Sequence, residues 1–284
     1  MRAFALMFFF SVVCGCSKEP IAIAETSYNA AQNAGCAAPE PRGLAGIHDD
    51  ETSENGIRFS VRTPANYDAT IAHPLLVVYP GAGQSRFAAE GFTGLTFGAT
   101  AAGFIVVYVN HRSLSLKTLD EFATLPRSVA EKWCVDKQRI FLTGHSDGGT
   151  AASAIAFRED DGFSPTGIAP SAAGLSASDL KAIECPAPRP VMVLHNSEDN
   201  VFPGYGAQAA EWWASCNNCD TSGRKQRADG CFEYSKCSDD APVRYCERPG
   251  GHRKWPANNR TILDFFLSIK GANNSTDIQR RMAN

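Results

Sequence analysis

A serine, an aspartate and a histidine in this chain could together do nucleophilic chemistry, and each stands in a segment suited to present it. Ser146 lies in Arg139-Ile140-Phe141-Leu142-Thr143-Gly144-His145-Ser146-Asp147-Gly148-Gly149-Thr150-Ala151-Ala152. There a short apolar run stops at Gly-x-Ser-x-Gly-Gly, and small helix-forming residues follow. A strand, a sharp turn and a helix have this pattern when the turn lifts a serine out of a sheet. Gly144 and Gly148 flank the serine where any Cβ would clash between strand and helix, and Gly149 lets the helix sit close.

A serine hydroxyl is a poor nucleophile without a base, so the turn has to be matched with a histidine and an acid. His252, in Pro249-Gly250-Gly251-His252-Arg253-Lys254-Trp255-Pro256, is flanked by glycines and follows the last strand-like run. Asp199 stands in His195-Asn196-Ser197-Glu198-Asp199-Asn200-Val201-Phe202-Pro203, just past an apolar run, with Glu198 as the neighbouring alternative. Acyl transfer also needs two backbone N–H groups aimed at the developing oxyanion. Asp147, immediately after the serine, supplies one, and Ala82 or Gly81, in Tyr79-Pro80-Gly81-Ala82-Gly83-Gln84, supplies the other. Among the remaining histidines, His145 has no room to act as base, His111 lines the pocket end of a strand, and His195 orders the acid loop.

The elements that must hold these residues follow from the apolar pattern. The continuous runs 74–79, 104–109 and 190–195 suit strands buried on both faces. Residues 56–62 alternate apolar and polar, which predicts a half-exposed antiparallel edge strand. Residues 139–143, 167–171 and 243–246 complete the strands. Helices are expected in part of 88–102, over 118–133 from a capping box at Thr118 and Glu121 with a break or kink at Pro126, and over 148–157, 207–215 and 259–270. Strands alternating with helices imply an α/β domain with a mostly parallel sheet covered on both faces.

The chain has 284 residues and a formal charge of −3, with no basic cluster that would mark a nucleic-acid partner. Arg2 and the apolar stretch Ala3 to Val13 read as an export signal over residues 1–15, and no later run is long enough to cross a bilayer. Val13-Cys14-Gly15-Cys16 resembles a lipobox that would make Cys16 a lipid anchor, and Ala22-Ile23-Ala24 is a competing site for release. The lipoprotein reading is preferred, and either one places the protein in the cell envelope or outside the cell. Residues 16–55 read as a tether and irregular arm, 56–270 as the catalytic domain, and 271–284 as a polar tail.

Either cleavage leaves eight cysteines in the folded part, and an even count in an exported chain reads as disulfides. Cys36 would staple the arm to the body. Cys216, Cys219, Cys231 and Cys237 could alternatively be spaced for zinc, a reading disfavoured in an oxidising compartment.

Taken together, these stretches resemble the extracellular polyhydroxybutyrate depolymerase and feruloyl esterase-like branch of the α/β-hydrolases. The match rests on Tyr79-Pro80-Gly81-Ala82-Gly83-Gln84-Ser85, on Gly144-His145-Ser146-Asp147-Gly148-Gly149, on the acid loop 195–203 and on Gly250-Gly251-His252-Arg253-Lys254-Trp255-Pro256. It runs from about residue 56 to 267. Pro80 stands where that family carries a histidine, Ala82 where it carries a cysteine, and one extra residue separates His252 from Trp255. The resemblance implies an α/β-hydrolase fold and a Ser146–Asp199–His252 serine esterase. Such an enzyme needs no metal or organic cofactor and acts as a monomer on small, oligomeric or polymeric esters. The absence of an appended binding domain favours soluble or oligomeric ones. The rivals are a serine peptidase of the prolyl-oligopeptidase type and a non-catalytic binding protein of the same fold.

Overall fold

The continuous apolar runs form the middle of a single sheet. A computed structural model describes residues 36, 43–158, 163–238, 240–256 and 258–269, all within a unit spanning 33–284. The expectations for the export signal, Cys16, most of the arm and the tail lie outside the described residues. In chain order the elements are β1 (Ile47–Thr52), β2 (Arg58–Arg62), β3 (His73–Tyr79), α1 (Arg86–Thr93), α2 (Thr96–Ala101), β4 (Ile105–Val109), α3 (Leu116–Ala123), α4 (Leu125–Lys132), β5 (Val135–His145), α5 (Asp147–Phe157), β6 (Gly167–Ser171), α6 (Ala177–Lys181), β7 (Val191–Asn196), α7 (Tyr205–Cys216), β8 (Asp220–Gln226), β9 (Phe232–Ser235), β10 (Val243–Arg248) and α8 (Asn259–Ser268). The ten strands lie in the order β1-β2-β4-β3-β5-β6-β7-β10-β9-β8. The block from β4 to β10 is parallel, and antiparallel strands extend it at both ends.

The strand period of two sends alternate side chains to two cores. Leu75, Val77 and Tyr79 pack with Phe122, Val129, Ile155 and Trp213, under α3, α4, α5 and α7. Leu76 and Val78 pack with Leu95, Phe104, Phe141 and Phe266, under α1, α2 and α8. Both faces of the sheet are therefore covered. Phe141 and Phe266 stack with ring centroids 4.6 Å apart. Truncating a ring buried like this to alanine typically costs about 3–5 kcal/mol.

Three expectations need correction. The sheet begins inside the segment read as an irregular arm, because β1 pairs antiparallel with β2. Ion pairs from Asp49 to Arg62 and from Glu51 to Lys132 anchor this acidic strand. As a result β2 is an interior strand between β1 and β4, with residues 59–62 buried. The cap of α3 is Ser115, whose hydroxyl accepts from Thr118 N–H, so Thr118 already lies within the helix. The break expected at Pro126 is present: α3 ends at Ala123 and α4 begins at Leu125, with the proline in its first turn, where an N–H has no intrahelical partner to lose. The expected disulfides are present, and Cys216, Cys219, Cys231 and Cys237 are all half-cystines. The bridges are Cys36–Cys134, Cys185–Cys216, Cys219–Cys237 and Cys231–Cys246. Zinc is thereby excluded as the role of that quartet. Cys36 does tie the arm to the body. The β8–β9 hairpin, whose first strand is polar, and the short α6 carried no pattern that sequence reasoning had picked out.

Candidate active site

Ser146 occupies the turn between β5 and α5, with backbone angles φ 57° and ψ −117°. A side chain at positive φ is strained, and such strain collects at functional turns. The turn can close only because the neighbouring positions lack side chains. A Cβ on Gly144 would meet Tyr79 O at 2.5 Å, one on Gly148 would meet the same oxygen at 2.1 Å, and one on Gly149 would meet Ser171 O at 2.3 Å. Tyr79 ends β3 and Ser171 ends β6, so the serine is clamped between the two strands that flank its own. Ser146 N–H donates to Ser171 O at 3.0 Å, which completes the clamp.

Asp199 follows the end of β7 and is 4 % exposed. Its Oδ1 accepts the N–H groups of Val201 and Phe202, each at 2.9 Å. Burial pushes its pKa up, but the N–H of Phe202, the His252 ring and the N–H of Val201 together outweigh burial and hold it below the ordinary value. The carboxylate is therefore anionic, and its Oδ2 lies 2.8 Å from Nδ1 of His252. A carboxylate only accepts, so Nδ1 carries the proton and the Nε2 lone pair faces outward. That Nε2 lies 2.9 Å from Ser146 Oγ. Serine, histidine and aspartate thus form one continuous hydrogen-bonded row. Glu198, the alternative acid, is exposed, and its backbone N–H donates to Gly250 O.

The loop bearing His252 follows β10 and is pinned from β7. Asn196 Nδ2 donates to Gly251 O at 3.0 Å and to Lys254 O at 2.7 Å, on either side of the histidine. On the other flank, Gly81 N–H donates to Gln84 Oε1 at 2.9 Å, and Gly81 O accepts from Gln84 N–H. Gln84 O in turn accepts from His111 N–H, which ties the loop after β3 to the one after β4. The His111 ring stands 3.2 Å from the Asp147 carboxylate at the rim. His195 is buried with Nε2 3.8 Å from Asp199 Oδ2, against the acid loop as expected. Asn196 and Ser171 carried no sequence signal, because their partners lie far along the chain.

Every one of these loops leaves the carboxyl end of a parallel strand, where open α/β sheets place their sites. The strand order, the covered faces and the serine turn after β5 define the α/β-hydrolase fold. No family model matches the sequence, and no curated protein matches it. Among solved structures, the chain is similar to an acetyl xylan esterase from Aspergillus awamori at 15 % identity and TM-score 0.60, over 79 % of this chain and 99 % of that one. A truncated carbohydrate esterase from gut microbiota aligns at 13 % identity and TM-score 0.56, over 82 % and 98 %. Dipeptidyl peptidase 4 from Porphyromonas gingivalis aligns at 11 % and TM-score 0.53, over 77 % of this chain but 35 % of the peptidase. At these identities the likeness speaks for the fold alone, and the fold is shared by esterases and a peptidase.

Proposed function

We propose that this chain is an exported serine esterase that hydrolyses carboxylic esters through an acyl-enzyme. The observation that carries the reading is the His252 ring, set between Ser146 Oγ at 2.9 Å and Asp199 Oδ2 at 2.8 Å. His252 Nε2 takes the serine proton as Oγ attacks the ester carbonyl, and Asp199 holds the imidazolium that forms. The tetrahedral oxyanion is received by the N–H groups of Asp147 and Ala82. The Asp147 N–H belongs to the first turn of α5, where helix N–H groups have no partner within the helix. Ala82 is preferred to Gly81 because the Gly81 N–H is already committed to Gln84. Collapse of the intermediate returns the proton from His252 to the leaving alcohol. Water, deprotonated by His252, then attacks the acyl carbonyl and releases the acid and Ser146.

Export is supported by four disulfides among the described residues, since such bonds persist in oxidising compartments. Lipid attachment at Cys16 belongs to the same reading. The motif resemblance to polyhydroxybutyrate depolymerases and feruloyl esterases favours an ester over a peptide bond.

The test is hydrolysis of short-chain nitrophenyl esters beside a peptide amide, with Ser146→Ala as control and a fluorophosphonate probe for the serine. Ester turnover that falls by several orders of magnitude in Ser146→Ala supports the reading. Faster cleavage of the amide would move it to a peptidase. No turnover and no labelling would leave a binding protein.

A further inference from the structure

His145 precedes the nucleophile, and the mechanism above gives its side chain nothing to do. Yet its ring is enclosed and partnered at both nitrogens. Nδ1 lies 2.9 Å from Ser171 Oγ, and Nε2 lies 2.6 Å from the carbonyl oxygen of His252. A carbonyl can only accept, so Nε2 carries the proton and donates to it. Nδ1 is then the acceptor of the Ser171 hydroxyl. One neutral tautomer satisfies both bonds.

We propose that His145 is a positioning residue, which fixes the main chain of His252 and so the direction from which that imidazole reaches Ser146. This rests on the reading of Ser146 as nucleophile and His252 as base. The other anchors do not reach the carbonyl of His252. Asn196 holds the carbonyls of Gly251 and Lys254 on either side, and Glu198 N–H holds Gly250 O. Asp199 fixes the ring through Nδ1 but not the backbone that carries it. Gly250 sits at φ +140° and Gly251 follows it, so this stretch has little stiffness of its own. Among the described residues only His145 reaches the His252 carbonyl, and it does so from the residue bonded to the nucleophile. Base and nucleophile are thereby referred to the same strand end.

Ser171 closes the arrangement. Its carbonyl accepts Ser146 N–H at 3.0 Å while its hydroxyl donates to Nδ1 of His145. The charge state fits as well. The rings of His145 and His252 are 5.2 Å apart, so a second cation there would oppose the imidazolium formed during catalysis. Phe92 and Trp255 pack around His145, with centroids at 5.1 and 6.2 Å. Burial is the main cause that pushes its pKa down, to about 4.

The first measurement is a long-range nitrogen–proton correlation spectrum of the labelled wild-type protein at neutral pH. It reads the tautomer directly and does not depend on activity. A neutral His145 protonated at Nε2 is expected, and one protonated at Nδ1 would overturn the proposal. The second compares His145→Phe, which keeps the bulk and removes the donor, with His145→Gln, which restores an amide donor at similar reach. His145→Phe should lower kcat by about 10- to 100-fold with KM little changed, the scale expected of a misplaced catalytic group. His145→Gln should regain most of that loss. Wild-type kcat in His145→Phe, or equal loss in both variants, overturns the proposal. If His145→Phe does not fold, the wild-type spectrum decides: the His145 Nε2 proton should be shifted downfield and protected from exchange by its bond to the His252 carbonyl, and a proton that exchanges like that of a solvent-exposed imidazole overturns the proposal. Ser146→Ala run alongside separates the two levels, because full activity in that variant would sink the catalytic reading and leave the tautomer result standing.

Discussion

Gly81 gives its backbone N–H to the side-chain oxygen of Gln84 at 2.9 Å, and receives the Gln84 N–H on its own carbonyl. The two residues lock each other, so the next peptide, that of Ala82, is presented in a fixed direction. Gln84→Leu keeps the bulk and removes the acceptor. Its kcat on a nitrophenyl ester should fall by up to about 100-fold, towards the loss known for a missing oxyanion donor. An unchanged kcat would mean that this lock does not serve the oxyanion site.

The acid can be tested without disturbing the turn. Asp199→Asn keeps the shape but offers an amide to His252, and the wrong tautomer then faces Ser146. A kcat loss of about 10⁴-fold is expected. Glu198→Gln, whose side chain is exposed, should stay within a few-fold of wild type. Steady-state kinetics of the pair separates the two carboxylates, and comparable losses in both would contradict the assignment.

Stability should depend on pH through His145. Its pKa is held at about 4 in the folded chain, against 6.5 for the free side chain. His252, Asp199 and His195 are the titratable groups that face it. Between these two values the unfolded chain binds the extra proton and the folded one resists it, so stability falls as the pH is lowered from 6.5 to 4. The full effect is up to ~3 kcal/mol. Urea midpoints at pH 4, 5 and 6.5 should show a shallower slope for His145→Gln than for wild type. Parallel slopes would mean that His145 is not the group responsible.

The bridge from Cys231 to Cys246 closes a short loop between the β8–β9 hairpin and β10, with 15 residues of separation. Both half-cystines are fully buried. Replacing the pair by alanine should cost ~3 kcal/mol, seen in a calorimetric scan as a Tm lower by roughly 10 °C. A shift of a degree or less would show that the hairpin holds without it.

Much of this architecture could be read from local pattern. The runs at 74–79 and 104–109 had to be buried strands because nothing in them tolerates water. The glycines around Ser146 announced a turn that no side chain could enter, and the clashes at Tyr79 O and Ser171 O give the reason. The parts that escaped depend on partners distant in the chain. β1 is acidic and scarcely apolar, and it is a strand because Arg62 and Lys132 meet it. In the hairpin, β8 is mostly exposed, and disulfides and the Arg224 guanidinium over the Phe232 ring hold the pair. His145 could be recognised from sequence as unable to act as a base. That it grips a carbonyl 107 positions away is visible only in three dimensions.

The backbone of Ser146 lies at φ 57° and ψ −117°, and its side chain caps no helix N–H. A glycine there would relieve the contortion, worth about 1–3 kcal/mol, less the ~0.5–1 kcal/mol of extra freedom that glycine gives the unfolded chain. Ser146→Gly should therefore melt above both wild type and Ser146→Ala, although on the proposed mechanism neither variant keeps a nucleophile. Reactivity and robustness pull this one position in opposite directions: a chain selected only to endure would have no serine there.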